Sequence, residues 1–475
     1  MNDGIIKKLK ELGYNTMSPT WYDRIDYWNQ WYSGNVSDFH HYRVFNGQEK
    51  QKLTRYSLGM AKTVSEDWAN LLMNEKVKIT LDGSKEQEFV DRVFFENDFL
   101  YNINELQEKG AARGTYAIVP HVNGASISAN GQVVDATGIE LDYITAERIF
   151  PLTWKGREVR ECAFATIHNV GDVKYVYMQL HVLQGAKYAI INKLYRQSDG
   201  DTLREEPFEN VPGFDGVTDA PIITGSDKPQ FVIGRYNIAN NIEENNPMGI
   251  PVFANAIDVL KGVDIAYDSY VNEFVLGKKR VIVKPSATKN DSGDPIFDPT
   301  DMAYYVLPED LVNGTIIQPI DMALRTIEHE NGLQDQLRML SKKCGFGEQH
   351  YKFDQGSIAT ATQIVSENST LFRTIQKHEI VLESFLDNLC RVILRMGNSY
   401  MNAGLNEDAE ISIDFDDSII EDKATERAND RQDLAAGIMN AYEYRMKWYN
   451  EDDKTAKAAL PKMNGMTDER QDEVE

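Results

Sequence analysis

Hydrophobic residues along this chain keep three rhythms in turn. Up to about residue 110 they recur at threes and fours. In "TWYDRIDYWNQWYSG", Trp21, Ile25, Trp28 and Tyr32 fall on one face of a predicted helix, and "YSLGMAKTVSEDWANLLMNEK" repeats the pattern with Leu58, Ala61, Val64, Trp68 and Leu71. Such aromatic stripes are expected in the core, where large rings bury the most area, rather than as a platform for stacked bases. After "EKGAARG" the period drops to two. "TYAIVPHV", "VVDATGIELDYI", "ECAFATIHNV", "VKYVYMQLHVL" and "KYAIINKLYRQ" are short β-rich runs bounded by Gly, Asn and Asp, which predicts a mainly antiparallel sheet between about Thr115 and Ile233.

The helical spacing then returns. Pro251 suits a first helical turn, and Phe253, Ile257, Leu260, Val263, Tyr267, Tyr270 and Phe274 follow at threes and fours until Gly277, with Lys278, Lys279 and Arg280 where a helix end favours cations. A small β-and-loop insert comes next ("VIVKP", "AYYVLPED", "GTIIQPID"), then a helix from Asp321 to about Lys343 and the glycine-bounded loop "CGFGEQHYKFDQGS". The third rhythm is the longest. From Ser357 to Met396 there are forty residues without Gly or Pro, with apolar groups at Ile364, Leu371, Ile375, Leu382, Phe385, Leu389, Val392 and Met396. At about 1.5 Å per residue this predicts a rod of roughly 60 Å. No strict heptad with flanking charges lasts beyond two or three repeats, so the rod is expected to lie against other helices rather than in a coiled coil. The fold class is therefore α+β: helices, then sheet, then long helices.

Composition narrows the function. The chain has 475 residues and a formal net charge of −24. From Ala403 to the end there are 20 acidic and 9 basic residues. Phosphate repels such a chain at long range, which argues against a sequence-reading DNA binder. No apolar run is long enough to cross a membrane, and no secretory leader is expected. Cys162, Cys344 and Cys390 are scattered without a CxxC pair, which fits a reducing compartment and argues against a zinc ribbon.

No phosphate-binding glycine loop, HExxH, GxSxG or dinucleotide fingerprint occurs. The adjacent pair His40-His41 cannot share a helix face. Asp291, Asp294 and Asp298 lack the spacing and closing Glu of a calcium loop. In "ISIDFDDSIIED", Asp414 and Asp416 point the same way along a strand, with Asp417 opposite. They would be the metal ligands of a nuclease if the chain were one, but no lysine or histidine nearby completes such a site. The residues therefore carry no enzyme and call for no cofactor.

The order of elements resembles the portal protein of long-tailed, siphophage-type double-stranded DNA bacteriophages. The stretches "GMAKTVSEDWANLLMNEKVKI", "DYITAERIFPLTWKGREVRECAF", "NNPMGIPVFANAIDVLKGVDIAYDSYVNEF" and "GSIATATQIVSENSTLFRTIQKHE" resemble that family in the family's order, over roughly Trp21 to Asn402. The resemblance implies a ring, twelve copies at one capsid vertex of the virion, assembled in the host cytoplasm. It implies an outward wing at 1–248, a first stem helix at 249–275, a clip at 276–321 and a second stem helix at 322–343. A tunnel loop at 344–356, a long spine helix at 357–402 and an acidic crown at 403–475 complete it. Implied partners are double-stranded DNA passing without sequence specificity, the terminase large subunit, head-completion or adaptor proteins, the scaffold and the major capsid protein. An adaptor or other minor virion component is the alternative structural reading. In the implied tunnel loop, Lys342, Lys343, His350 and Lys352, with Gln349 and Gln355 as neutral donors, are expected to touch phosphate weakly. Lys342 and Lys343 would also cap the preceding helix.

Overall fold

The computed structural model describes residues 2–45, 47–74, 77–124, 126–127, 133–134, 136–198, 200–214, 216–277, 280–283, 288, 292, 304–306, 317–320, 323–352, 361–415, 423–449, 451 and 453–460. Helices α1 (Asn2–Glu11), α2 (Pro19–Tyr32) and the short α3 (Ser37–His40) lead into a hairpin of β1 (His41–Phe45) and β2 (Lys50–Thr54). Then come α4 (Met60–Leu72), β3 (Lys78–Leu81), α5 (Ser84–Glu96) and α6 (Phe99–Arg113). The aromatic stripes are core: Trp21, Ile25, Trp28, Val64 and Trp68 are buried. On α4 the buried leucine is Leu72, while its neighbour Leu71 stays half-exposed.

The period-two region contains β4 (Thr115–Asn123), β5 (Ser126–Ile127), β6 (Val133–Val134), β7 (Gly138–Thr145), β8 (Ile149–Lys155), β9 (Glu158–Val170), β10 (Val173–Gln184), β11 (Lys187–Gln197), β12 (Leu203–Glu205), β13 (Ile222–Ile223) and β14 (Val232–Arg235). Strands β8 to β12 form an antiparallel meander in chain order, with β13 also against β11. Its three tight hairpins turn on Gly156, Gly171 and Gly185, at φ of 59°, 60° and 68°. That left-handed backbone matches the twist of the strands and suits glycine. A second sheet has the order β14-β4-β7, and β5 pairs with β6.

The next helix departs from its expected start. It is α7 (Ile257–Leu276), preceded by a 3-10 turn at Ala254–Ala256, and it does not begin near Pro251. The preceding segment is held against α6 and β4 instead. Gly249 N–H donates to Thr115 Oγ1 at 2.8 Å, and Val252 N–H donates to the Ala111 carbonyl at 2.9 Å. Gly249 lies so close to Gly114 that a Cβ on it would sit 2.3 Å from the Gly114 carbonyl oxygen. These tertiary contacts override the local helical signal.

The small insert has β15 (Arg280–Val283) between a parallel β16 (Tyr304–Val306) and an antiparallel β17 (Ile317–Ile320). Lys278, Lys279, Asp291, Asp294 and Asp298 lie outside the described residues. Helix α8 (Thr326–Lys343) starts five residues after Asp321. Just before it, the Arg325 N–H and guanidinium bond Glu273 of α7 at 2.8–3.1 Å. The guanidinium and backbone N–H hold the Glu273 carboxyl down to about 2.

The rod is α9 (Ala361–Met401), 41 residues, and 357–360 lie outside the described residues. It runs through Gly397 and ends close to the expected boundary at 402. A Cβ on Gly397 would sit 2.7 Å from the Phe89 ring and 3.0 Å from Leu405, so the missing side chain makes room for packing. The helix ends at Met401, where Asn402 takes φ of 51°. Its second half is buried through Ile375, Leu382, Phe385, Leu386, Leu389 and Ile393. It packs on strands as well as helices: α4 and α5 on the helical side, and β4, β14 and β18 (Ile411–Asp414) among the strands. Phe385 meets Tyr116 edge-on at 5.0 Å.

The chain divides into two units, Met1–Phe415 and Asp416–Glu475. The second contains α10 (Lys423–Ala436), α11 (Ala441–Tyr449) and α12 (Asp453–Ala458). It is held by polar contacts: Arg427 and Arg431 each donate to Tyr444 Oη at 3.1 Å, and Trp448 and Lys447 both bond Asp430 at 2.7 Å.

Candidate functional site

Helix α8 ends by running its chain into α4. Cys344, Gly345 and Phe346 make the turn, and Gly345 sits at φ of 90°. There a Cβ would meet Thr374 of α9 at 2.8 Å and the Trp68 ring at 3.3 Å. Trp68 is fully buried. Its indole N–H donates to the Cys344 carbonyl at 3.0 Å, its face stacks on Phe346 at 4.9 Å, and the ring of His378 on α9 meets it edge-on at 4.8 Å. One indole thus touches the end of α8, the loop after it and the long helix.

The stack continues outward. His350 lies flat on Phe346, with centroids 4.3 Å apart and planes 5° from parallel. Its Nε2 is 3.3 Å from Asp67 Oδ2, and Tyr351 Oη donates to the same oxygen at 2.7 Å. Burial, with the Asp67 carboxylate beside it, pushes the Tyr351 hydroxyl well up. Gln334 of α8 donates to the Tyr351 carbonyl at 3.0 Å. On the inner side, burial and then Lys377 lower His378 to about 3, and its Nδ1 accepts the Asn237 N–H at 3.0 Å.

Five of the six residues singled out in the loop are described. Lys342, Lys343, Gln349 and Lys352 are exposed. Lys342 pairs with Glu348 of its own loop at 2.6 Å, which lowers the Glu348 carboxyl. His350 is held by Phe346 and Asp67. Gln355 lies outside the described residues. Lys342 and Lys343 occupy the last turn of α8, where cations also suit the helix dipole. Sequence reasoning missed Asp67 and Phe346. The buried Trp68 stripe was the one available signal for where this loop would be anchored.

The acidic run offers less. Asp414 lies on β18 opposite Lys78 of β3, and Asp416 and Asp417 are outside the described residues. Among the described residues, no three His, Cys, Asp or Glu side chains are grouped to hold a metal ion, and no helix is long and apolar enough to cross a membrane.

No curated protein matches this sequence. Among solved structures, the chain is similar to one from the neck of a native GTA particle computed with C12 symmetry. The two are 10% identical, the match covers 82% of this chain and 87% of that one, and the TM-score is 0.38. The family described as phage portal protein, SPP1 Gp6-like, matches residues 16–465, nearly the whole sequence. The chain therefore belongs to that phage portal family.

Proposed function

We propose that copies of this chain close into a ring, twelve in the particle, at one capsid vertex, and that double-stranded DNA enters and leaves through its hole. In this reading residues 1–248 are the wing, α7 and α8 the stem with the clip between them, and the loop after α8 the constriction. The long helix is the spine of the wing, and the residues from Ala403 onward are the crown. The terminase large subunit, head-completion or adaptor proteins, the scaffold and the major capsid protein dock on it.

Beyond family membership, one observation carries the reading. Where α7 meets the start of α8, Phe274, Val275, Leu276, Leu324 and Ile327 are 42–69% exposed. Contiguous apolar surface of this kind marks a contact with another molecule, and side-by-side copies in a ring would cover it. The acidity also suits a conduit. Each phosphate held by Lys or Arg releases counterions and tightens binding, so a mostly anionic wall leaves the duplex mobile.

Images of the purified protein should show rings with a central hole; a solid or single-chain particle in every buffer overturns the reading. Within rings, replacing Lys342, Lys343 and Lys352 with glutamine should leave assembly intact and lower packaged-DNA yield. His350→Gln is made separately, because it also breaks the stack on Phe346. Unchanged yield in both variants removes these groups from the DNA path.

A further inference from the structure

The hairpin of β1 and β2 is built in a way the lone chain does not explain. Apart from the half-covered Tyr42, every residue of both strands is exposed. A two-stranded hairpin with nothing packed on it is marginal in water. The register makes matters worse, because Arg43 lies directly opposite Lys52, and Phe45 opposite Lys50. Like charges facing each other across a pair of strands are destabilising. None of the ion pairs among the described residues engages Arg43, Lys50 or Lys52. The same alternation puts Tyr42, Val44 and Leu53 together on the other face. The root is firm: the Arg55 guanidinium lies over Phe39 at 4.2 Å and Tyr42 at 4.8 Å.

So one face of the hairpin presents Arg43, Lys50 and Lys52 around the exposed Phe45, and the other presents Tyr42, Val44 and Leu53. Residues 41–55 contain four basic side chains and one acidic, in a chain of net charge −24. A complementary surface exists elsewhere on the chain. At the corner of α5 and α6 a groove of about 420 Å³ is floored by Val77 and Ile79 of the β3 strand region and walled by Phe95, Leu100 and Tyr101. Phe95 is 85% exposed and Tyr101 73%. The exposed carboxylates Asp91 and Asp98 line it.

We propose that the β1–β2 hairpin of one chain seats on the α5–α6 groove of a second copy, as a subunit contact of the ring; this rests on the ring reading above. Phe45 covers the groove's rings, and the Arg43–Lys52 pair on the same face of the hairpin meets Asp91 and Asp98. Each chain then has one hook and one groove, so the contact is head-to-tail and repeats from copy to copy. It also places attraction where a strongly anionic chain most needs it, since close pairs at a covered interface are less screened than net repulsion at long range. Nucleic acid would satisfy the basic side chains but would leave the Phe45 ring and the groove in water, whereas a second copy covers all three.

The test is a charge swap read by sedimentation and electron microscopy at about 0.15 M salt. Arg43→Glu with Lys52→Glu should cut the ring fraction at least about tenfold, as should Asp91→Lys with Asp98→Lys, while circular dichroism of each stays that of the parent. Combining all four should restore rings. A Phe45→Cys, Tyr101→Cys chain, whose natural cysteines are buried, should give a ladder of disulfide-linked multimers after oxidation. Rings that persist through both swaps, without a ladder, overturn this contact and leave the ring reading standing. A parent protein that never forms rings overturns both. Intact rings with lost duplex binding in the hairpin variant would assign the hairpin to DNA instead.

Discussion

Two aromatic-rich regions of this chain are finished to different degrees. Around Trp68, every ring has a partner from its own chain: Phe346 on one face, His378 at the edge, and Tyr236 beyond it at 5.1 Å. At the junction of α7 and α8, Tyr270 meets Phe274 edge-on at 5.2 Å, yet Phe274, Leu276 and Ile327 remain 45–69% exposed. The helices are well made in both places, and Leu260, Val263, Leu337 and Leu340 are buried at the other end of the same helix pair. The difference lies in what covers the apolar face. The first region needs nothing beyond the single chain, and the second is completed only in the proposed ring.

That contrast can be broken from either side. The largest effect is expected from Trp68→Ala, which empties a fully buried site and frees the Cys344 carbonyl. It should cost about 3–5 kcal/mol of chain stability, read as a fall in denaturation midpoint. Asp264→Ala follows. This buried carboxylate of α7 accepts from His40 at 2.9 Å, from Ser57 at 3.1 Å and from the Leu58 N–H at 2.8 Å. Leaving those donors unpaired should cost about 1–3 kcal/mol. Smallest for the single chain are Leu276→Ser and Ile327→Ser, expected within about 0.5 kcal/mol of the parent because the side chains already face water. If the contrast is real, those two variants should instead lower the fraction of protein in rings.

Acid sharpens the same comparison. His378 and His181 sit near 3 in the folded chain, both chiefly because burial disfavours the cation. An unfolded histidine titrates near 6.5. Between those values the unfolded chain binds more protons, so this stability is fully present above about pH 6.5 and drains away as pH falls toward 3. Each histidine contributes at most about 1.4 kcal/mol per pH unit. Denaturant titrations at pH 6 and pH 5, above the range of the carboxylates, should show a shallower loss for His378→Phe than for the parent. Equal slopes would mean that His378 is not held neutral.

Hydrophobic rhythm made much of this fold legible. It marked the helices of the first hundred residues, the antiparallel meander and the rod, because those elements bury one regular face. It failed where contacts distant in sequence decide local shape. Pro251 advertised a helix start, but Thr115 and Ala111 hold that segment off the helix until Ile257. Asp321 advertised the start of the second stem helix, but that helix starts only at Thr326, after Arg325 has bonded Glu273 of α7. The loop shows the same division. Lys342 and Lys343 could be read from their place at a helix end. The hold of Asp67 on His350 and Tyr351 could not, because roughly 280 residues separate them and nothing in either stretch names the other.

The three cysteines give the molecule a built-in set of reporters. Cys162 lies in the meander, Cys344 under the turn after α8 and Cys390 on the long helix, and all three are buried. Burial pushes the Cys344 and Cys390 thiols up to about 12 and that of Cys162 well up. A thiolate reagent at neutral pH therefore finds no target while the chain is shut. Whichever sulfur is alkylated first, under tension or mild heating, times the opening of its own neighbourhood without any label having been added.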